Sequence, residues 1–270
     1  MSDSVTQEPP VLCEMHGAVA RITLNRPAAG NSLSFGLMQA LRAALAELRE
    51  DCAIKVIVIQ GSGGRIFCAG HDLRELAGEE DTEALARDFE MLGGLMQDIM
   101  GQPQIMIAKV EGVATAAGCE LVAACDLALA SVDARFAVPG VNIGFWCYSP
   151  QIQLSRAIGR KQAMMMLATG KLFPAEHAKA IGLINDMYPP EALDAAVEAL
   201  AQAISTKSRR ILARGKAAYQ KQAGMSVPDA YRQAQADAIS NLDLADAKEG
   251  ISAFLEKRVP QWPGEDSRDR

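Results

Sequence analysis

The sequence predicts an α/β fold, a layered spiral of repeated strand-strand-helix units followed by a helical C-terminal region. Three observations predict it. Alternating and β-branched apolar segments fall before Ser149, whereas helical periodicity fills the chain beyond it. Within the first part, a strand, a loop of small residues and a short helix recur. No stretch rich in Gly, Ser or Pro is long enough to separate two independent domains. On this reading residues 1–10 form a disordered tail, 11–190 the spiral core, 191–260 the helical region and 261–270 a second tail.

The elements follow in order. From Gly17 to Leu24 the residues alternate, with Ala18, Ala20, Ile22 and Leu24 on one side, and the run stops at Asn25-Arg26-Pro27 as a strand entering a turn does. Ser34 then caps a helix whose Leu37, Leu41, Leu45 and Leu48 recur at helical spacing. Ile54 to Ile59 is a β-branched run, the mark of a buried strand. A helical pattern spans Thr82 to Met100. Ile105 to Val110 reads as a strand, Glu111 to Ala117 as a loop, and Gly118 to Ala124 as a short helix. Leu127 to Ala130 and Phe136 to Val138 are further strands. Helices are expected at Gln151 to Ile158, Lys161 to Ala168, Ala175 to Ile181, Glu191 to Ser205, Arg209 to Gln222 and Ala230 to Leu255.

Composition narrows the function. With 270 residues, 49% of them apolar and 22% charged, the chain holds enough apolar material for a sizeable core. A net charge of -6 argues against nucleic acid, which calls for basic residues clustered on one face. Cys13, Cys52, Cys68, Cys119, Cys125 and Cys147 lie scattered, with no Cys-x-x-Cys pair and no nearby His suited to zinc, so no metal site is expected. They read as buried free thiols of a reducing compartment. The first ten residues resemble no targeting segment, and Asp126 interrupts the longest apolar stretch, Leu121 to Ala130. A cytoplasmic protein that does not enter membranes is expected. No phosphate loop or dinucleotide fingerprint is present, since Gly61-Ser62-Gly63-Gly64 lacks both the spacing and the following lysine.

Two loops carry the chemistry. Cys68-Ala69-Gly70 and Ala116-Ala117-Gly118 each place small residues at the end of a strand, where a ligand can approach the backbone. Where such loops converge, their N–H groups address one oxygen and form an oxyanion hole, reinforced by the helix beginning near Gly118. Either loop alone is better explained by tight turns and close helix packing. Glu120, on the first turn of that helix, has the composition of a general base and also of a plain helix-terminal charge.

Four segments in order resemble the crotonase (enoyl-CoA hydratase/isomerase) superfamily across nearly the whole chain. They are Leu24-Asn25-Arg26-Pro27 with Asn31-Ser32-Leu33, Phe67 to Leu73, Glu111 to Leu121 running into Ala124-Cys125-Asp126, and Glu249 to Arg258. The stretches Thr115 to Cys119 and Ala137 to Ser149 look most like the branch of enoyl-CoA hydratase domain-containing protein 3. The resemblance implies a crotonase-like spiral and a thioester carbonyl held by the N–H groups of Ala69 and Ala117, with Glu120 as base. Ala117 stands where many relatives have glycine, so the backbone there must tolerate a Cβ.

The second glutamate of the family's hydratases falls at Gly140, which disfavours isomerase chemistry and leaves one carboxylate. Coenzyme A, part of the substrate and the only cofactor-like group, is expected to meet Arg26, the backbone at Ala28, and Ala69, Gly70, His71 and Asp72. Ala117, Gly118, Gly140 and Trp146 border the acyl group, and Phe254 and Lys257 reach the nucleotide of a neighbouring subunit in a homotrimer or dimer of trimers. Read from the residues, His71 is a structural hydrogen-bonding group, Trp146 and Tyr148 are pocket walls or core, and Cys147 is a buried thiol. The implied reaction is addition of water to a 2-enoyl-CoA, a lyase step of fatty acyl metabolism. Acyl-CoA binding without turnover, or another enolate reaction such as decarboxylation or thioester hydrolysis, is the alternative.

Overall fold

In the computed structural model, which describes residues 8–263, the chain starts with a hairpin. Strands β1 (Val11–His16) and β2 (Val19–Leu24) pair antiparallel across Gly17, whose φ of +61° suits glycine. The sequence reading missed β1 because only Val11 of its six residues is even partly buried, so no alternation marks it. Helix α1 (Phe35–Glu50) follows, capped by Ser34, whose hydroxyl accepts the Leu37 N–H, and it buries Leu37, Met38, Leu41, Leu45 and Leu48.

Three turns of the spiral come next, and each contributes one strand to each of two sheets. The first supplies β3 (Val56–Gly61) and β4 (Ile66–Cys68), then α2 (Leu73–Gly78) and α3 (Thr82–Met100). The second supplies β5 (Ile105–Val110) and β6 (Val113–Thr115), then α4 (Ala117–Ala124). The third supplies β7 (Leu127–Ser131) and β8 (Arg135–Ala137), followed by α5 (Pro150–Ala157) and α6 (Arg160–Thr169). The remainder is β9 (Phe173–Pro174), α7 (Ala175–Ala180), β10 (Asp186–Tyr188), α8 (Pro190–Ser205), α9 (Arg209–Gln222), α10 (Val227–Leu242) and α11 (Ala245–Glu256).

The large sheet runs β1-β2-β3-β5-β7-β10, parallel apart from the first hairpin, and the small sheet runs β4-β6-β8-β9. Because β3 is covered on both faces, its β-branched run is buried throughout. Ile57 and Ile59 face the main core under α1 and α3, while Val56 and Val58 face a second cluster sealed by Leu193, Val197 and Ala201 of α8.

The helix expected over Ala230 to Leu255 is two helices. The chain turns at Asp243-Leu244, where Leu244 is extended (φ -67°, ψ 141°), and the turn carries Asp246 back to the Ser208 hydroxyl at 2.8 Å. The cysteines divide as well. Cys68, Cys119 and Cys147 are buried as expected, but Cys13 and Cys52 are exposed, on the outer hairpin and the α1–β3 turn. Of the two expected tails, residues 1–7 and 264–270 lie outside the described residues. The inner parts are held: Asn25 N–H donates to the Pro10 carbonyl at 2.8 Å, and the Trp262 indole N–H to the Thr206 carbonyl at 2.8 Å. Among the described residues no helix is long and apolar enough to cross a membrane, and no cluster of acidic, His or Cys side chains suits a metal.

The helical region is locked to the spiral by a buried ion pair. Lys216 of α9 donates to the Gln104 carbonyl at 3.0 Å and to Asp126 Oδ2 at 2.6 Å, and that oxygen also accepts the Met106 N–H at 2.7 Å. Burial raises the Asp126 carboxyl, and Lys216 opposes the rise. Lys216→Met strands Asp126 without its cation. Urea titration at pH 7.5 is expected to show a loss of about 2–3 kcal/mol, below the usual cost of breaking a buried pair because Asp126 retains some solvent contact.

Candidate active site

The two small-residue loops meet. A Cβ placed on Gly70 would lie 2.8 Å from the Thr115 carbonyl oxygen and 3.0 Å from the Ala117 nitrogen; one on Gly118 would lie 2.2 Å from the Cys68 carbonyl oxygen. The loops are therefore in backbone contact, and glycine at both positions permits it. Parallel pairing of β4 with β6 brings the two strand ends together, and the Thr115 hydroxyl donates to the Ala69 carbonyl at 3.0 Å. Strain sits one residue before the position anticipated. Ala117 is the regular first residue of α4, whereas Ala116 holds φ +50°, ψ -121°, a conformation that disfavours any Cβ.

A count of backbone donors corrects the expected oxyanion pair. The Ala69 N–H donates to the Gly30 carbonyl at 2.9 Å, so it is not free for a ligand. The Gly70 N–H is directed at the Cys68 sulfur and the Asp72 N–H at the Leu33 carbonyl. That leaves the His71 N–H without an acceptor among the described residues. The Ala117 N–H is likewise unpaired, as the first donors of a helix are. The first loop thus offers its donor two residues later than the sequence reading placed it. Side-chain identity gave no signal, because the Gly30–Ala69 bond joins segments distant along the chain.

Glu120 lies on α4 one turn beyond Ala117 and is 1% exposed. Burial pushes its carboxyl up to about 7, against an opposing hydrogen bond from Ser149. The Ser149 hydroxyl lies 2.7 and 2.8 Å from the two carboxyl oxygens. Sequence reasoning missed Ser149 because Ser-Pro at a helix start reads as a cap. Burial raises the thiols of Cys68 and Cys119 to about 12 and raises Cys147 as well, which disfavours their reactive thiolate forms.

Gly140 is closed off. It lies in a short 3-10 helix, Pro139–Ile143, and a Cβ there would stand 2.2 Å from the Phe145 carbonyl oxygen and 2.9 Å from the Cys147 sulfur. The Phe145 N–H returns to the Gly140 carbonyl at 3.0 Å, folding the loop over the glycine. Aromatic rings continue from the first loop to this one. His71 packs edge-on to Phe89 (5.3 Å, 87°), Phe89 stacks on Phe145 (6.3 Å, 15°), and Phe145 meets Tyr148 edge-on (6.0 Å, 83°). The His71 Nε2 rests against the Asp88 carboxylate of α3.

The other expected residues divide between scaffold and surface. Arg26 Nη1 is held by the Ser32 carbonyl (2.9 Å) and Asp72 Oδ2 (3.0 Å), so Arg26 and Asp72 clamp the first loop to the β2–α1 turn. Asn31, fully buried, ties the same turn to the β3–β4 loop through Ser62 and Ile66 carbonyls at 3.0 and 2.8 Å. Ala28 is exposed in the 3-10 helix Pro27–Ala29. Trp146 is half-buried against the core, its indole N–H donating to Gln151 at 2.9 Å. Phe254 is 81% exposed on α11 and Lys257 ends that helix with φ +57°.

Comparison with known proteins agrees with this architecture. The family model described as enoyl-CoA hydratase/isomerase matches residues 14–265. Enoyl-CoA hydratase domain-containing protein 3, mitochondrial, from Danio rerio is 40% identical over 255 residues, covering 94% of this chain and 88% of that protein. The Homo sapiens protein of the same name is 38% identical over 247 residues, covering 92% and 81%. Both names place those relatives in mitochondria, where composition here suggested the cytoplasm. Among solved structures, an enoyl-CoA hydratase of Mycobacterium smegmatis superposes with a TM-score of 0.92 at 44% identity, covering 94% of this chain and 99% of that one. Human enoyl-CoA hydratase domain-containing protein 3 superposes with a TM-score of 0.91 at 37% identity, covering 94% and 100%. With its spiral, its two converging loops and these matches along nearly its full length, the chain belongs to the enoyl-CoA hydratase/isomerase (crotonase) family, in the branch of enoyl-CoA hydratase domain-containing protein 3.

Proposed function

We propose that this protein adds water to a 2-enoyl-CoA thioester, with the His71 and Ala117 N–H groups as the oxyanion hole and Glu120 as the one proton-transferring side chain. The observation that carries the reading is Glu120, a buried carboxyl near neutrality one helical turn from an unpaired N–H. Glu120 takes a proton from water as the water oxygen bonds to the β-carbon. The electron pair of the conjugated double bond moves onto the thioester oxygen, where two N–H donors stabilise it. The enolate then collapses and the proton on Glu120 passes to the α-carbon, so one carboxyl serves first as base and then as acid. A group titrating near 7 exchanges a proton in either direction at neutral pH with little driving force opposing it.

The phosphates and adenine of coenzyme A would lie over the surface formed by Ala28 and the first loop, with Arg26 and Asp72 holding that surface in shape. Exposed Phe254 and Lys257 suit contact with a nucleotide held by a neighbouring subunit, as in a homotrimer or a pair of trimers. The test is loss of the enoyl-thioester absorbance with crotonyl-CoA and a longer 2-enoyl-CoA, run beside Glu120→Gln. Turnover that survives the substitution would remove Glu120 from the mechanism.

A second reading, an acyl-CoA binder without hydration, is favoured by Gly140, where no acidic side chain fits. Restoring a glutamate there is expected to damage the site. Gly140→Glu forces the Phe145 carbonyl aside and should lower stability by about 1–3 kcal/mol in urea titration, with no gain in hydration rate. A faster and equally stable variant would show that the loop opens readily.

A further inference from the structure

Ser149 stands at the N-cap position of α5, and the ordinary use of a serine there is to accept an N–H from the first turn of the helix. It makes no such bond. Its backbone is already helical (φ -70°, ψ -50°), and the N–H groups a cap would take are used elsewhere, Gln151 donating to the Cys147 carbonyl at 3.1 Å and Ile152 to the Ser149 carbonyl at 2.9 Å. The hydroxyl instead points across to α4 and reaches both oxygens of Glu120, at 2.7 and 2.8 Å. No other side chain donates to Glu120 among the described residues, and Gly140 supplies none.

We propose that Ser149 is a positioning residue for the reaction: its hydroxyl holds the Glu120 carboxylate in one orientation and favours the form that accepts a proton. The inference rests on Glu120 being the proton-transferring group. A hydroxyl donating to a carboxylate stabilises the ionised form, so it works against the burial that raises Glu120. One donor centred between two oxygens also fixes the plane of the carboxyl, and with it the direction in which either oxygen meets water or the α-carbon. α5 loses no cap when the hydroxyl is removed, so Ser149→Ala leaves the helix start intact.

The test is a carbon-13 NMR titration of the full-length protein labelled at the glutamate carboxyl carbon, with the Glu120 signal identified by its loss in Glu120→Gln. Ser149→Ala is expected to raise the Glu120 midpoint by roughly one to two pH units. Ser149→Thr, which keeps the hydroxyl, should bring it back. The acidic limb of the kcat/KM profile for a 2-enoyl-CoA moves upward in step, so Ser149→Ala loses more activity at pH 6 than at pH 9. A midpoint unchanged by Ser149→Ala, or one that Ser149→Thr does not restore, overturns the proposal. Full turnover in Glu120→Gln would instead overturn the role of Glu120, and the titration distinguishes the two failures because it reads the carboxyl directly.

Discussion

Glu120→Gln is expected to reduce turnover of a 2-enoyl-CoA by about 100- to 10,000-fold, the usual worth of a positioned general acid–base, while making the protein more stable above neutral pH. The two effects share one cause. A buried carboxyl without a cationic partner is held near its point of ionisation because the charged form is poorly solvated. In the folded chain Glu120 keeps its proton until about 7, whereas its ordinary value is 4.5. Folding therefore takes up a proton between those values. Stability contributed by the protonated form is complete below about 4.5, falls as the pH rises and is gone above about 7.

Glutamine has nearly the same shape, still accepts the Ser149 hydrogen bond and never ionises, so it escapes that loss. A shift from 4.5 to about 7 corresponds to about 3 kcal/mol. Urea titration of the variant at pH 8 should show a gain of that order over wild type, vanishing near pH 4.5. A variant that is inactive but no more stable at pH 8 would mean that Glu120 is ionised at little cost, and the proton-return step would then lack its acid.

What the sequence disclosed follows from where the information lies. α1, α3 and β3 were legible because their periodicity or β-branching depends on burial against a sheet, and burial writes itself into every third, fourth or second residue. β1 was not legible, since an outer strand that buries only Val11 leaves no such trace. The break between α10 and α11 was hidden because helical spacing continues across Asp243-Leu244, while the turn there brings Asp246 to the Ser208 hydroxyl, a tertiary contact that spacing along the chain does not report.

At the site, Glu120, Gly118 and the two loops were visible as residue types in a recognisable order. The donor in the first loop was misplaced by two residues, because the use of the Ala69 N–H is settled by Gly30, on the other side of α1 in the chain. Ser149 was invisible for a related reason. Its partner lies 29 residues away on another helix, and nothing in Ser-Pro distinguishes a hydroxyl turned outward from one that caps.

Gly118→Ala, one methyl group, is expected to lower kcat by about 100- to 1000-fold, comparable to removal of an oxyanion donor. The added Cβ would sit 2.2 Å from the Cys68 carbonyl oxygen and 2.8 Å from the Cys68 carbonyl carbon. Both are backbone atoms, so no rotamer relieves the overlap and a segment must move. Cys68 is the last residue of β4 and is paired with Ala114 of β6, while Gly118 is fixed in the first turn of α4. The least resisted movement slides the start of α4 away from the end of β4. That separates the Ala117 N–H from the His71 N–H, whose joint aim tolerates only about 0.5 Å of error. In the proposed reaction the enolate is held by both donors and the bound ground state by other contacts as well, so kcat and kcat/KM should fall together. Affinity for free coenzyme A, which has no thioester carbonyl, should change by less than about tenfold. Turnover within about threefold of wild type would mean that one N–H group suffices, and the unpaired donor at His71 would then be an accident of the turn.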